Sequence, residues 1–211
     1  MKKMVPWVVL WLASGSALAQ SEGAMVPRPV KVGDEAVYQV SLRADNKVFD
    51  EIITVTAVEP GQYRVKHVRG NPAVEREGVY TSDGHILVWG VNGSRYNPPV
   101  PLVKLPLSVG SAWDADYEST AVNGNLSRAE VSYKVAAQEK IETPAGVFDA
   151  FKIESVGWLR GVNWRGVVRV QQTMWYAPFI GRSVRTEYKD YRGNNLWNDT
   201  LTELKSFKPA P

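Results

Sequence analysis

The chain has 211 residues and a mass of 23.5 kDa, with 44% hydrophobic, 22% charged and 10% aromatic residues. This composition is globular, because it is too apolar and too aromatic for a disordered chain. Lysine and arginine number 25 against 22 acidic residues, and without Lys2 and Lys3 the net charge is 23 − 22 = +1. The overall charge therefore gives no support for nucleic acid or an anionic membrane as a partner.

The N-terminus has the pattern of an export signal. A Lys-Lys pair precedes an apolar run at residues 4–12, and Ala-Leu-Ala at 17–19 predicts cleavage before Gln20. The apolar run is shorter than the roughly 20 residues that span a bilayer, so residues 1–19 are predicted as a signal peptide. Cysteine is absent, whereas a lipoprotein anchor needs one. We expect a bacterial protein of the periplasm or outside the cell, with no transmembrane segment in its mature form.

The remainder is predicted as one domain. Residues 20–31 are polar and contain two prolines, so they are predicted as a flexible lead-in, and residues 208–211 as a flexible tail. No linker or composition break interrupts residues 32–207. This length is sufficient to bury a core without disulfides.

Alternation of apolar and polar residues predicts strands throughout this domain. In residues 129–137, for example, Ala, Val and Tyr alternate with charged or small polar residues, which places one set in a core and the other in water. No window of a dozen residues has a helical period. The predicted strands are 35–43, 48–58, 62–69, 76–81, 85–91, 112–121, 126–142, 147–158, 166–176, 182–191 and 195–206.

Turn signals predict that these strands are antiparallel. Asp83-Gly84, Asn92-Gly93 and Asn123-Gly124 predict tight type I′ hairpins. Most connections are too short for parallel crossovers. We therefore predict an all-β antiparallel meander that forms a strongly curved sheet or an incomplete barrel, with few or no helices after the signal. The proline-rich stretch 92–111 and the stretch 157–166 are predicted to be irregular.

An outer-membrane barrel would also be exported and built of alternating strands. Short loops at both ends, charged residues on the polar side of each strand and a proline-rich tail argue against this alternative.

The chemistry of the sequence nominates no catalytic, cofactor or metal site. His67 and His85 are isolated, and Asp114 and Asp116 lack the other residues of a calcium loop. Known nucleophile, zinc and phosphate-binding motifs are absent. A carboxylate pair for glycoside hydrolysis is defined by a distance in three dimensions, which the sequence does not give. Such a pair is therefore neither indicated nor excluded by the sequence. The candidates for it are Glu51, Glu154 and Glu187.

Aromatic residues are the main candidates for ligand binding. They suggest an apolar cavity or a platform for stacking carbohydrate, although strands also use aromatics as ordinary core. Two of the tryptophans fall in the stretch 157–166, predicted as a loop, where core packing is harder to invoke. Adjacent arginines suit an anionic head group or an arginine–tryptophan stack. The predicted ligand-binding residues are Trp158, Trp164, Trp175, Phe179, Arg160 and Arg165.

Four segments carry a resemblance to a known group. They are V-K-V-G-D at 30–34, P-L-V-K-L-P-L-S-V-G-S-A-W at 101–113, E-T-P-A-G-V-F-D-A-F-K-I at 142–153 and M-W-Y-A-P-F-I-G-R-S-V-R at 174–185. This pattern resembles exported bacterial domains of unknown function of the TapB-like type. The resemblance implies an exported, largely antiparallel β domain without an assigned catalytic centre. It also implies a fold-level likeness to the lipoprotein carriers LolA and LolB, whose curved sheet shelters acyl chains.

Three functions follow from these features. The first is a non-catalytic binding protein that holds a lipid or another apolar ligand in a curved sheet. The second is a module that binds another protein of the cell envelope. The third is a hydrolase with an unrecognised site, which we rank last. We expect no cofactor.

Overall fold

A computed structural model describes residues 27–211 of the chain. The predicted signal peptide and the first part of the predicted lead-in lie outside the described residues. In residues 27–211, no helix has the length and apolar character needed to span a membrane. The structure contains one short 3-10 helix, Pro178–Ile180, and the strands β1 (Glu35–Leu42), β2 (Lys47–Glu59), β3 (Gln62–Arg69), β4 (Val74–Thr81), β5 (Ile86–Val88), β6 (Arg95–Val100), β7 (Ala112–Thr120), β8 (Leu126–Thr143), β9 (Gly146–Gly161), β10 (Val167–Ala177), β11 (Arg182–Arg192) and β12 (Asn195–Lys208).

The strands form a closed antiparallel barrel. Each strand pairs with the next along the chain, and β12 returns to pair with β1, from Glu35 opposite Lys208 to Leu42 opposite Thr200. The predicted all-β antiparallel meander is confirmed. The sequence left closure open because closure depends on strand tilt and shear, which sequence patterns do not specify.

The proline-rich stretch 92–111 contains a strand that the sequence did not predict. Residues Arg95–Val100 form β6 between β5 and β7, although Pro98 and Pro99 lie within them. Pairing with β7 ends at Asn97, just before these prolines. Proline has no backbone N–H to donate, so such a strand is possible only where few ladder bonds are required.

The first half of the other stretch predicted to be irregular, 157–166, is strand, and the second half is a loop. Strand β9 continues to Gly161, and Trp158 lies opposite Glu130 of β8 and Arg169 of β10. The prediction that Trp158 lies in a loop is therefore wrong. A Cβ at Gly157 would lie 2.4 Å from the backbone oxygen of Glu130, so this glycine allows two strands to approach closely.

The three Asx-Gly pairs mark hairpin turns, but not of the predicted type. A type I′ turn has positive φ at both central residues, whereas here only Gly84, Gly93 and Gly124 have positive φ. In the first turn the N–H of Thr81 donates to the oxygen of His85, which leaves a loop of three residues. Loops of this length combine a type I turn with one left-handed glycine.

The turns divide between two ends of the barrel. The end that carries the loops 43–46, 70–73, 89–94, 121–125, 162–166 and 193–194 is called the hairpin end. The opposite end carries residues 27–34, the loop 101–111, the β8–β9 turn and residues 208–211, and is called the terminal end.

A core of aromatic and branched side chains fills the barrel between β7 and β10. Trp113 stacks on Tyr133 with ring centroids 5.3 Å apart, and Val135 and Ile153 are fully buried beneath them. The indole N–H of Trp113 donates to the oxygen of Pro101 at 2.9 Å. The loop 101–111 also contributes three apolar side chains to this core, so it packs onto the terminal end.

A second apolar cluster joins the chain's two halves near the terminal end. It combines Ala36 and Leu204 with Trp175 and Val184. The N–H of Ala145, in the β8–β9 turn, donates to the oxygen of Leu204 on β12 at 3.0 Å. The tip of this long hairpin therefore reaches across the terminal end to a strand that is not its neighbour in the barrel.

The segments next to the two chain termini meet at one carboxylate. Asp34 is 1% exposed and accepts hydrogen bonds from the guanidinium of Arg28 at 2.6 Å and from the backbone N–H groups of Lys31 and Ala210. Burial alone raises the pKa of Asp34, but these hydrogen bonds outweigh burial and lower it to about 2. Residues 208–211, predicted as a flexible tail, thus lie against the lead-in.

Candidate binding groove on the outer face of the barrel

A concavity of the barrel lies on its outer face, across β7 to β11. Residues on these strands alternate between the buried core and this face, so the groove is formed by the polar half of each strand. Its volume is about 720 Å³. The outward side chains that line it, here called the outer groove, are Asp114, Ser132, Lys134, Glu154, Val156, Gln171, Thr173, Glu187 and Lys189.

Strand register arranges most of these side chains in two parallel rows. Thr173 lies opposite Glu154 on one side and Glu187 on the other, and Lys134 lies opposite Glu154. The second row is one step closer to the hairpin end and consists of Ser132, Val156, Gln171 and Lys189. Each row thus crosses four strands and presents hydroxyl, amide, amine or carboxylate groups.

Neighbouring cations and hydroxyls hold the groove's acidic side chains in place. Lys152 Nζ lies 2.9 Å from Glu154 Oε1, and this hydrogen bond raises the pKa of Lys152. Arg185 contacts Glu187 at 2.6 Å, and the hydroxyl of Ser132 donates to Asp114 at 2.7 Å. The lining itself carries two lysines against three carboxylates, a net charge of 2 − 3 = −1. The groove is therefore polar but nearly neutral.

Aromatic side chains flank these rows on both sides. Trp158 follows the second row toward the hairpin end and is 43% exposed. Beside it, the guanidinium of Arg169 lies 4.4 Å from the ring centre of Tyr191. On the other side is Trp175, which is buried between Lys152 and Arg185 and donates its indole N–H to Glu139 at 2.7 Å.

The structure separates the residues predicted to bind ligand. Trp158 and Trp175 border the outer groove, but Phe179 lies at the terminal end and is 81% exposed. Trp164 lies at the hairpin end, where its indole N–H donates to the hydroxyl of Ser127 at 3.1 Å. Strand β10 runs from the hairpin end to the terminal end, so Trp164 and Phe179 lie at opposite ends of the barrel.

Arg160 and Arg165 also lie at the hairpin end. Arg160 is the last outward residue of β9 and lies opposite Arg128 of β8, and Arg165 is exposed in the following loop. Both arginines are thus at the same end of the barrel as Trp164, and they are beyond the groove lining.

The three candidate carboxylates do not form one site. Glu51 lies inside the barrel and contacts His67 Nδ1 at 2.7 Å, with both side chains buried. Glu154 and Glu187 face the outer groove, where each is separated from the other by Thr173. Two strand spacings place their backbones about 10 Å apart. This arrangement allows both carboxylates to accept hydrogen bonds from one bound molecule.

Most of the residues that line the outer groove have no signal in the sequence. Gln171, Thr173, Ser132 and Lys189 have no motif around them, and each is an ordinary outward residue of its strand. Only the register between strands places them side by side. Among residues 27–211, no group of three His, Asp or Glu residues is close enough to hold a metal ion.

Comparisons with known proteins agree on the second half of the chain and on the fold. A family model described as DUF3108-like matches residues 114–201, which include all of the groove lining. No curated protein gives a significant match. The matches described here do not include a TapB-like protein or a Lol carrier, so those finer resemblances stay predictions.

Three solved structures share the architecture of the barrel. A protein named as a lipoprotein from Parabacteroides distasonis has 19% identity and a TM-score of 0.55, covering 85% of this chain and 97% of that one. An exported protein with a YmcC-like fold from Bacteroides fragilis has 18% identity and a TM-score of 0.53, covering 87% and 99%. The hypothetical lipoprotein YmcC from Escherichia coli has 14% identity and a TM-score of 0.52, covering 87% and 92%. The chain is thus similar to the DUF3108-like family over β7 to β12, and its fold is similar to that of YmcC-like proteins.

Proposed function

We propose that this chain is an exported, non-catalytic protein of the bacterial cell envelope that binds a glycan chain in the outer groove. The observation that carries the proposal is the pair of polar rows bordered by Trp158 and Trp175. Export is supported by the predicted signal peptide and by relatives whose names describe exported proteins or lipoproteins.

The lining chemistry supports a glycan over other polar ligands. Sugar hydroxyls both donate and accept hydrogen bonds, and the groove offers acceptors at Glu154 and Glu187, donors at Lys134 and Lys189, and groups of both kinds at Gln171 and Thr173. Its near-neutral charge does not favour a polyanion or a polycation. An exposed indole such as Trp158 supplies the flat apolar surface on which the C–H face of a sugar ring can pack.

The outer groove supports this proposal better than the interior supports an apolar ligand. Inside the barrel, Trp113, Tyr133, Phe151 and Ile153 pack against one another in one cluster. Burial raises the pKa of Tyr176 to about 12, as expected for side chains enclosed by apolar neighbours. The outer groove and a second concavity beside β8, lined by Ala137, Glu139 and Asp149, both open to the outside. A lipid held within the curved sheet would need these core side chains to move apart.

A glycan-binding titration tests the proposal. Tryptophan fluorescence of the protein is followed while cello-, malto- and chito-oligosaccharides are added, and a glycan array extends the panel to envelope polysaccharides. We expect saturable binding to at least one glycan, with a change in emission that is lost in Trp158→Ala. Glu187→Ala should weaken binding by about tenfold or more, because a hydrogen bond to a charged group contributes about 1.5–3 kcal/mol.

Glu77→Ala is the matched control. Glu77 is an outward residue of β4 that contacts Arg64 at 2.8 Å, much as Glu187 contacts Arg185, but it lies outside the groove. Binding that falls equally in Glu77→Ala and Glu187→Ala, or a panel without any bound glycan, would overturn the proposal. Release of reducing ends from the bound glycan would instead support a hydrolase that uses Glu154 and Glu187.

A further inference from the structure

The hairpin end carries a group of arginines whose arrangement the proposed function does not explain. Arg128 and Arg160 are directly opposite each other on the outer face of β8 and β9, and Arg165 lies in the adjoining loop. Arg192 ends the strand β11, which is separated from β9 by one strand. These four residues are here called the arginine rim.

The arginine rim has little compensation from acidic residues. Like charges directly opposite each other on neighbouring strands are destabilising. Arg128 contacts Glu118 only at 3.5 Å, with both side chains about half exposed or more. Within residues 27–211, neither Arg160 nor Arg165 has a carboxylate at ion-pair distance. An anionic partner that bridges the facing arginines would remove the repulsion.

Apolar side chains project from the same end. Val122 and Val162 lie in the β7–β8 and β9–β10 loops and are 75% and 56% exposed. Trp197 is 55% exposed near the start of β12, and the guanidinium of Arg192 lies 4.1 Å from its ring centre. Exposed valines on two loop tips, and an exposed tryptophan beside Arg192 elsewhere at the same end, have no use in the packing of the barrel.

From this combination we infer that the hairpin end docks on the surface of an anionic lipid bilayer. Loop valines and Trp197 would enter the interfacial region, where amphipathic aromatics are favoured, while the arginine rim contacts lipid phosphates. Arginine suits this role because its planar guanidinium can donate two parallel hydrogen bonds to a phosphate. The overall charge of the chain gave no sign of such a partner, because the attraction comes from a local cluster.

Vesicle sedimentation tests the inference. The full-length chain and its variants are incubated with phosphatidylcholine vesicles that contain or lack phosphatidylglycerol. We expect the protein to bind the anionic vesicles and to be released by salt, which screens charge. The double variant Arg160→Gln/Arg165→Gln should bind the anionic vesicles about 25-fold more weakly, because each basic residue near such a surface contributes about 1 kcal/mol.

Two matched controls use the terminal end. Lys104→Gln/Lys208→Gln removes the same charge from exposed positions there, and it should bind like the unmodified chain. Trp197→Ser should weaken binding, whereas Phe179→Ser, at a more exposed aromatic of the terminal end, should not. All variants keep the same N-terminal segment, so differences between them report on the hairpin end alone.

Three results would overturn the inference. They are equal binding to both kinds of vesicle, equal losses in the two charge variants, and release by inorganic phosphate at an ionic strength where chloride has no effect. The last result would indicate a site for small anions without lipid docking. None of these variants alters the outer groove, so a failure to bind vesicles does not bear on the glycan proposal. Glycan titrations of the same proteins distinguish a failure of lipid docking from a failure of glycan binding.

Discussion

The inner and outer faces of β7 to β11 are formed by alternate residues of the same strands, and they have opposite character. The inner face carries Trp113, Tyr133 and Ile153, which belong to one core cluster. On the outer face, Lys134, Glu154 and Val156 are exposed. The inner face therefore determines whether the barrel folds, and the outer face can vary with the ligand without a large change in stability.

The largest effect is expected from the hydrogen-bonded Glu51–His67 pair inside the barrel. Glu51→Ala would leave His67 Nδ1 buried without its partner and would leave a cavity, and the two effects together should cost about 3–5 kcal/mol. Among residues 27–211, His67 Nε2 has no hydrogen-bond partner either, so no second contact compensates. Urea unfolding measures the loss. Glu154→Ala on the outer face is the control and should change the free energy of unfolding by less than about 0.5 kcal/mol.

Next in size is truncation of the apolar core. Ile153 is 1% exposed, and Ile153→Ala should lower the free energy of unfolding by about 2–5 kcal/mol through lost burial and the cavity that remains. Val156→Ala, three residues further along β9 but on the outer face, removes a side chain that is 48% exposed. Similar losses in these two variants would contradict the assignment of the faces.

A smaller, pH-dependent effect is expected at Asp34. Its pKa is lowered from 3.8 to about 2, so the unfolded chain takes up this proton first as pH falls. The stabilisation is complete above about pH 4 and is lost between about pH 4 and pH 2. Asp34→Asn should cost about 2 kcal/mol at neutral pH and should lose that part of the acid dependence. Urea unfolding at a series of pH values checks both; an unchanged acid profile in the variant would show that other carboxylates dominate.

The smallest effect on stability is expected in the middle of the outer groove. Thr173→Ala removes a half-buried hydroxyl for which the structure shows no protein hydrogen bond, so unfolding should change by less than about 0.5 kcal/mol. Glycan affinity should still fall, by about threefold to tenfold, because a neutral hydrogen bond contributes about 0.5–1.5 kcal/mol. A variant that loses stability and keeps its affinity would reverse the roles given to the two faces.

Local patterns were sufficient to predict the fold class. Alternation located eleven of the twelve strands, and the Asx-Gly pairs located three of the turns between strands. The missing strand, Arg95–Val100, contains adjacent prolines that normally indicate a break, and the tertiary pairing with β5 overrides them. The stretch 157–166 was predicted to be irregular, but its first half continues β9, where Gly157 allows a close approach between strands.

The candidate site was less accessible to prediction, because it depends on register. Trp158 and Trp175 were selected for their residue type, and both border the groove. Thr173 and Gln171 have common types at unremarkable positions, and only their partners across β9 and β11 bring them together. Phe179 shares the aromatic character of the tryptophans, but β10 carries it to the opposite end. Residue type thus identified single members of a site, and pairing between distant segments assembled the rest.

The pairing of β1 with β12 has a consequence for the order of folding. The first and last strands are about as far apart in sequence as two elements of this domain can be, and the barrel has no closing partner until both are present. Loop-closure entropy makes such contacts slow to form, so the chain should fold late and cooperatively. Without β12, β1 and β11 each present an unpaired edge, which is a template for aggregation. A chain that stops short of residue 195 should therefore self-associate, because the last strand covers both of these edges in the closed barrel.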